Sequence, residues 1–381
     1  MSGVSIRDFV SRSSQLTMLL MADENDFRVT LDILGAAPPP PHEKAMLAAI
    51  RFVRKAYGND RRKIRTLSVL HPCRVASTIA RCELANGRFS SGSFDVLDFL
   101  VGLLHDVEED ISPERLQAAE PEFVSLLSEL DEQQRWFMRE RIHVLTRRPG
   151  QQYFDYLCGL LSVGDRCIHP VRVKTADKLD SVLDLYLMAP SVSSLDFYVT
   201  MFEILCVPSY RGLPKMPDPP VGRKQVELFV SNLTKALLWI SLLRQTESAQ
   251  RDPVVRELNE LLIEGSIRQT EVILLSYLME RVPFANEQHG AIKAGLEYCQ
   301  DPVAVTTVTP RDRGHLLDGS LLEGLSLQSD DQTRKRRISE LYDDPLRFTA
   351  LLFVMIAVFR CCARDGSFFV KGISREGVRV P

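Results

Sequence analysis

The sequence lacks the features that mark secreted proteins and cysteine-based zinc proteins. Its eight cysteines include no Cys-x-x-Cys pair, so their spacings do not fit a structural zinc site. The N-terminal stretch carries Arg7, Asp8 and Arg12 among its apolar residues, which is not the pattern of a secretory signal. We therefore expect free thiols and a cytoplasmic location.

Long apolar runs and a large excess of one charge are also absent. The uncharged, mostly apolar run from Phe348 to Phe359 is 12 residues long, short of the roughly 20 that span a bilayer. We expect it to form a buried core helix and expect no membrane partner. The net charge of −3 gives no general attraction for nucleic acid, so an anionic ligand would need a local group of basic residues.

Two proline-rich stretches divide the chain. Pro38 to Pro41 cannot continue a helix and favours an extended spacer, and a second stretch over residues 207–221 holds five prolines. We predict an N-terminal extension over residues 1–41, a globular domain over 42–206, a linker or loop over 207–221, and an accessory region over 222–381. Any contact between copies of the chain, as in a homo-oligomer, is expected in the accessory region.

Apolar residues recur at helical spacing along most of the chain. Ala45, Ile50 and Val53, for example, lie roughly on one face of a predicted helix. The tail over residues 366–380 alternates weakly and is consistent with a small hairpin. The sequence therefore predicts an all-α fold, with a mostly helical C-terminal region.

The segment from Phe94 to Asp110 carries the densest group of titratable residues. Apolar residues repeat along it and predict one helix with a buried face. The ionisable residues at its end are His105, Asp106, Glu108, Glu109 and Asp110. Burying them without a partner would be costly, and a divalent cation would offset that cost because imidazole and carboxylate are good ligands. Taken alone, the segment could also be a solvated helix end.

Two further segments supply candidate ligands. Pro72 suits the first turn of a helix and so places His71 at a helix entrance. Downstream, residues 171–185 form an amphipathic pattern that contains Asp177. The ligand order along the chain is therefore His, then His-Asp, then Asp.

These segments resemble the HD phosphohydrolase superfamily, most closely the hydrolase domain of the RelA/SpoT alarmone enzymes and the small alarmone hydrolases. The family segment His-Pro-x-x-Val-Ala is matched by residues 71–76, and Ala-Leu-Leu-His-Asp-Val-x-Glu-Asp by residues 102–110. Residues 173–179 match Val-Lys-Leu-Ala-Asp-Arg/Lys-Leu, and residues 145–153 resemble the connector Leu-Thr-Lys-x-Pro-Gly-x-x-Tyr. The resemblance covers residues 42–186 and implies an HD-type helical bundle.

The resemblance implies a catalytic metal centre. It assigns one divalent, manganese-type ion to four ligands: His71, His105, Asp106 and Asp177. Glu109 and Asp110 would assist water activation and proton transfer. The implied reaction is hydrolysis of the 3′-pyrophosphate of guanosine tetra- or pentaphosphate, with release of pyrophosphate.

The resemblance also implies how an anionic nucleotide would be bound. Arg62 matches the family arginine that contacts the guanine base, and Lys63 matches its lysine neighbour, although a solvated basic turn is the alternative. Lys174 lies in the third motif, and Ser181 stands where the family places an asparagine that contacts the nucleotide. Residues 64–68 also lack the family's Ser-Gly-Glu-Pro-Tyr bridge.

Both departures concern substrate recognition and leave the metal ligands unchanged. An HD phosphohydrolase of another nucleotide or phosphate ester is therefore an alternative, and a non-catalytic nucleotide-sensing module is a third hypothesis. We expect no synthetase activity, because the chain after Tyr186 shows none of the synthetase motifs of the long RelA/SpoT enzymes.

Overall fold

The computed structural model of the chain describes seven ranges and a few single residues: 27–35, 40–62, 67–85, 96–184, 223–281, 331–370 and 373–378, with Arg12, Ser13, Gln15, Leu16 and Leu19. The chain divides into two compact units. Unit 1 comprises Met1–Leu187 and Thr246–Leu261, and unit 2 comprises Met188–Gln245 and Leu262–Pro381.

Helices account for most of the described residues, which confirms the all-α prediction. The first ten are α1 (Phe27–Leu34), α2 (Pro40–Tyr57), α3 (Leu70–Ala85), α4 (Val96–Leu104), α5 (Val107–Asp110), α6 (Pro113–Ala118), α7 (Glu120–Ser128), α8 (Glu132–Leu145), α9 (Tyr153–Gly164) and α10 (His169–Leu183). The remaining elements are α11 (Arg223–Arg244), α12 (Glu247–Arg251), α13 (Pro253–Arg281), α14 (Asp331–Tyr342), α15 (Pro345–Arg364), β1 (Ile373–Ser374) and β2 (Gly377–Val378).

The N-terminal boundary differs from the predicted extended spacer. Pro40 and Pro41 form the first turn of α2, where proline is tolerated because its missing N–H would have had no partner in the helix. The helix α1 lies beside α2 in unit 1: Arg28 Nε is 3.0 Å from Glu43 Oε1, and Arg51 lies over the Phe27 ring. The predicted linker over residues 207–221 lies outside the described residues.

The core of unit 1 depends on a close approach between α3 and α4. Every residue of α4 is buried. All of them except Asp98 are apolar or glycine, as expected for a central helix. A Cβ added at Gly102 would lie 3.1 Å from the Cα of Ala76 in α3 and 3.1 Å from Cδ1 of Ile79. An alanine at this position would therefore require its neighbours in α3 to shift by a few tenths of an ångström.

The prediction of a single helix over residues 94–110 is wrong in one respect. In the structure the helix is interrupted at the pair His105 and Asp106. The helix α4 ends at Leu104 and α5 begins at Val107. Between them Asp106 has φ −105° and ψ 3°, and its carbonyl accepts hydrogen bonds from the amides of Glu109 and Asp110. The apolar pattern runs through the break, so periodicity did not reveal it.

Unit 2 has its own apolar core. Phe348 and residues 351–359 of α15 are buried, which confirms the prediction of a core helix. Tyr277 donates its hydroxyl to the carbonyl of Tyr342 at 2.7 Å. The strands β1 and β2 pair antiparallel and form the predicted tail hairpin. A 19-residue segment, Val226–Arg244, is long and apolar enough to cross a membrane, but 78% of its most apolar window is buried in the protein.

A buried ion network fixes α10 within unit 1. The Arg172 guanidinium lies 2.9 Å from Asp98, 3.2 Å from Glu83 and 2.6 Å from Asp252, and Asp98 also contacts Arg141 and His169. Burial acts to raise the pKa of Asp98, but these cationic neighbours hold it below its ordinary value. The stability from this carboxylate is therefore present above its unfolded-state pKa and is lost as the pH falls through its folded-state pKa.

Replacing Arg172 by Met leaves three buried carboxylates without their shared cation. We expect the free energy of unfolding to fall by about 3–5 kcal/mol, measured by urea unfolding at neutral pH. The matched control is Glu247→Gln, which removes an exposed ion pair with Arg251 (side chains 77% and 76% exposed) and should cost less than about 1 kcal/mol. Equal losses in the two variants would contradict the structural role of the network.

Candidate metal centre

Four side chains from three helical segments of unit 1 converge on one point. His71 comes from the first turn of α3, His105 and Asp106 from the turn between α4 and α5, and Asp177 from the middle of α10. One ligand atom from each lies within 4.8 Å of all the others. The structure thus brings together the predicted ligand set and shows that it could hold a metal ion.

The two imidazoles face the carboxylates through their Nε2 atoms. His71 Nε2 lies 3.2 Å from Asp106 Oδ2 and 3.5 Å from Asp177 Oδ1. His105 Nε2 lies 3.2 Å from the same Asp106 oxygen. The ring centroids of the two histidines are 5.1 Å apart. Both nitrogens and both carboxylates therefore border a single small space.

The other ring nitrogen of each histidine is occupied. His71 Nδ1 lies 2.6 Å from Asp180 Oδ2, and His105 Nδ1 lies 2.9 Å from the Gly102 carbonyl oxygen. A carbonyl oxygen and an ionised carboxylate can only accept hydrogen bonds, so each Nδ1 is the donor. A neutral imidazole then carries its lone pair on Nε2. Such a hydrogen bond to the far nitrogen is the usual arrangement for metal-ligating histidines.

This arrangement fits a cation. Both Nε2 atoms are buried, and neither has a hydrogen-bond partner among the described residues. A lone pair that faces a carboxylate oxygen is repulsive unless a proton or a metal ion lies between them. Two nitrogen and two oxygen donors suit a divalent transition metal, and this set does not select one metal among several.

Without a metal, the same environment favours a proton on His71. Burial and the charge of Arg62 act to lower the pKa of His71, but the carboxylates of Asp106 and Asp180, which face its two ring nitrogens, outweigh them and raise this pKa to about 9. Three carboxylates around one imidazole, those of Asp106, Asp177 and Asp180, favour positive charge at this position. A metal ion satisfies that demand with both imidazoles neutral.

Two lysines and a serine surround Asp177. Its Oδ2 lies 2.8 Å from Lys174 Nζ and 3.1 Å from Lys178 Nζ, while Ser181 Oγ donates to its Oδ1 at 3.3 Å. Burial would raise the pKa of Asp177, but the two ammonium groups hold it well below its usual range. Lys174 and Ser181 were predicted to bind substrate, and here both contact Asp177, a candidate metal ligand.

Behind His71 lies an ion network that the sequence did not predict. Arg74 donates from Nε and Nη2 to the two oxygens of Asp180 at 2.6 and 2.9 Å, and also contacts Asp184 at 2.5 Å. Arg62, predicted to read the base, lies 3.9 Å from Asp184 Oδ2. The spacing of three aspartates could have indicated this network: Asp180 and Asp184 follow Asp177 by three and seven residues, so they lie on the same side of α10 and its C-terminal end. Lys63 lies outside the described residues.

The acidic pair lies on the open side of the centre. Asp106 is the most accessible ligand, with its side chain 19% exposed, and both Glu109 and Asp110 are exposed. Although Asp110 is exposed as a residue, its carboxyl group is partly buried, and this burial and the negative charge of Asp106 raise the pKa of Asp110. Glu109 accepts a 2.6 Å hydrogen bond from the amide of Arg147 in the connector between α8 and α9.

The chain was compared with protein-family models, with curated proteins and with solved structures, and no match was found. The resemblance to HD phosphohydrolases accordingly depends on the four sequence motifs. The convergence of the predicted ligands is an independent, geometric observation.

Asp180→Asn tests the support of the His71 ligand. The amide keeps the shape of the carboxylate but lacks its charge, so it orients and polarises the imidazole less strongly. We expect the Kd for Mn²⁺ to rise about 10–100-fold, measured by isothermal titration calorimetry. The control Asp155→Asn changes an exposed aspartate of α9 and should leave the Kd unchanged. An unchanged Kd for Asp180→Asn would refute this role.

Proposed function

We propose that this protein is an HD-type, metal-dependent phosphohydrolase that removes the 3′-pyrophosphate of guanosine tetra- or pentaphosphate. The main support is the convergence of His71, His105, Asp106 and Asp177, with both Nε2 atoms directed at one point. The order and wording of the four motifs supply the reaction class. The ion proposed is manganese, which is compatible with this mixed nitrogen and oxygen donor set.

The hydrolysis requires one bond to form and one to break. The oxygen of a water molecule attacks the phosphorus attached to the ribose 3′-oxygen, and the bond between that phosphorus and the 3′-oxygen breaks. Pyrophosphate leaves with the oxygen of the water, and the 3′-oxygen takes up a proton. Catalysis of such a displacement is largely charge stabilisation and positioning.

Different residues of the chain have different roles in this proposed reaction. When bound, a divalent ion supplies Lewis acidity to the phosphoryl group and to the attacking water. Asp180 and the Gly102 carbonyl orient the imidazoles, and Lys174 keeps Asp177 ionised. Asp110, whose pKa is raised by partial burial and by the charge of Asp106, is the proposed acceptor of the proton of the water.

Recognition of the guanosine part is supported more weakly than hydrolysis. Ser181, at the position of the nucleotide-contacting asparagine, donates to Asp177, and Lys174 is also engaged by that carboxylate. Arg62 remains partly accessible, with its side chain 29% exposed, and is the candidate for contact with the base. These contacts favour, as a second candidate, an HD phosphohydrolase that acts on another nucleotide or phosphate ester.

Incubation of the purified protein with Mn²⁺ and guanosine tetraphosphate tests the proposal. We expect release of pyrophosphate, abolished in His105→Ala and Asp106→Ala because each removes a ligand. The control His143→Ala changes an exposed histidine of α8 and should retain full turnover.

The alternatives give different results in the same assay. Cleavage of other nucleotides without cleavage of guanosine tetraphosphate would support the second candidate. Binding of Mn²⁺ and nucleotide without any turnover would support a sensing module. Turnover that survives both ligand substitutions would refute the proposed centre.

A further inference from the structure

A cleft in unit 1 lies apart from the candidate metal centre. Its volume is about 400 Å³, and small-molecule sites occupy about 300–1,000 Å³. Residues from six helices, α2 and α4 to α8, line it. None of the four candidate metal ligands is among these residues. The proposed hydrolysis therefore gives the cleft no role.

Most of the lining is apolar. Six of the nine described lining residues have apolar side chains: Phe52, Leu104, Val107, Leu116, Phe123 and Ile142. Leu116 and Phe123 are partly exposed, and the Phe123 ring packs against Phe52 with a distance of 5.1 Å between ring centroids. Protein interiors normally fill such space with side chains, and apolar surface in contact with water is unfavourable. An apolar group of a ligand would remove that contact with water.

The remaining three lining residues give the cleft a negative charge. Glu108 and Glu120 are exposed carboxylates, and Gln117 is neutral. Glu108 accepts a hydrogen bond from the Thr146 hydroxyl at 3.4 Å, and neither glutamate forms an ion pair among the described residues. The described part of the lining contains no basic side chain. The apolar lining is therefore accompanied by two carboxylates without a counter-charge.

Basic residues of the neighbouring helices do not supply that counter-charge. Lys55 of α2 lies 2.8 Å from Glu122. Arg115 of α6 pairs with Asp60 and also donates to the Tyr57 carbonyl at 3.2 Å. Both cations are thus engaged by groups outside the lining.

We propose that this cleft is a binding site for a small organic cation, in which an ammonium group is attached to an apolar body. The apolar body contacts the Phe52, Leu116 and Phe123 side chains, and the ammonium group pairs with Glu108 and Glu120. An anionic ligand would meet like charge at the same place, and a neutral one would leave both glutamates without a partner. The inference is independent of the proposed phosphohydrolase activity.

Three probes with the same eight-carbon chain test this proposal: octylamine, octan-1-ol and octanoate. Each is titrated into the full chain by isothermal titration calorimetry, with Mn²⁺ present so that the candidate metal centre is occupied. We expect saturable binding of octylamine at a single site. Its Kd should be about 5–20-fold lower than that of octan-1-ol, because an accessible ion pair contributes modestly and two carboxylates face the ammonium group. Octanoate should bind more weakly than octan-1-ol.

Glu120→Lys reverses one charge of the cleft at an exposed position. We expect the Kd for octylamine to rise about 3–10-fold and the Kd for octanoate to fall, with little change for octan-1-ol. The matched control is Glu129→Lys, which makes the same change of charge at an exposed residue outside the lining. The control should leave all three Kd values unchanged.

Leu116→Asn tests the apolar wall, because it replaces an apolar side chain by a polar one of similar size. The Kd values for octylamine and octan-1-ol should rise together, by about 3–10-fold. Unchanged values in this variant would overturn the proposal. So would the absence of saturable octylamine binding, equal affinities for octylamine and octan-1-ol, or identical behaviour of Glu120→Lys and Glu129→Lys. None of these measurements depends on hydrolysis, so this site and the proposed function are tested separately.

Discussion

Two imidazole nitrogens and two carboxylates face one another in a space that is closed to solvent on most sides. A neutral imidazole at either position donates its only N–H to Asp180 or to the Gly102 carbonyl, and its Nε2 lone pair then faces carboxylate oxygens 3.2–3.5 Å away. Such a cluster is repulsive by itself and becomes favourable around positive charge. The packing of α3 on α4, the lysines beside Asp177 and the Arg74 network all serve to hold these groups in place.

The backbone makes this convergence possible. The absence of a side chain at Gly102 lets α3 and α4 approach closely, which brings His71 to the end of α4. The break between α4 and α5 then turns His105 and Asp106 towards α10, whose Asp177 completes the set. A Cβ at position 102 would require its neighbours Ala76 and Ile79 in α3 to shift by a few tenths of an ångström. The centre therefore depends on local backbone geometry as much as on the ligands themselves.

Much of this could be predicted from the sequence, and the limits are physical. Motif order predicts the ligands because chemistry restricts residue types at each position, and apolar periodicity predicts the α fold and the buried run of α15. Periodicity cannot reveal the break at residue 105, since burial continues through it. The Arg74–Asp180 pair joins residues 106 positions apart, and long-range ion pairs leave no local pattern. The start of α2 at Pro40 was not predicted, because a run of prolines indicates that a helix cannot continue through it. Proline is nevertheless tolerated in the first turn of a helix, and Pro40 and Pro41 lie there.

The most direct test of the centre is a crystal structure of the protein grown with Mn²⁺, with anomalous diffraction used to locate the metal. The account predicts one strong peak at bonding distance, about 2.0–2.3 Å, from His71 Nε2, His105 Nε2 and a carboxylate oxygen each of Asp106 and Asp177. A peak bound elsewhere, or no peak between these side chains at saturating Mn²⁺, would contradict it.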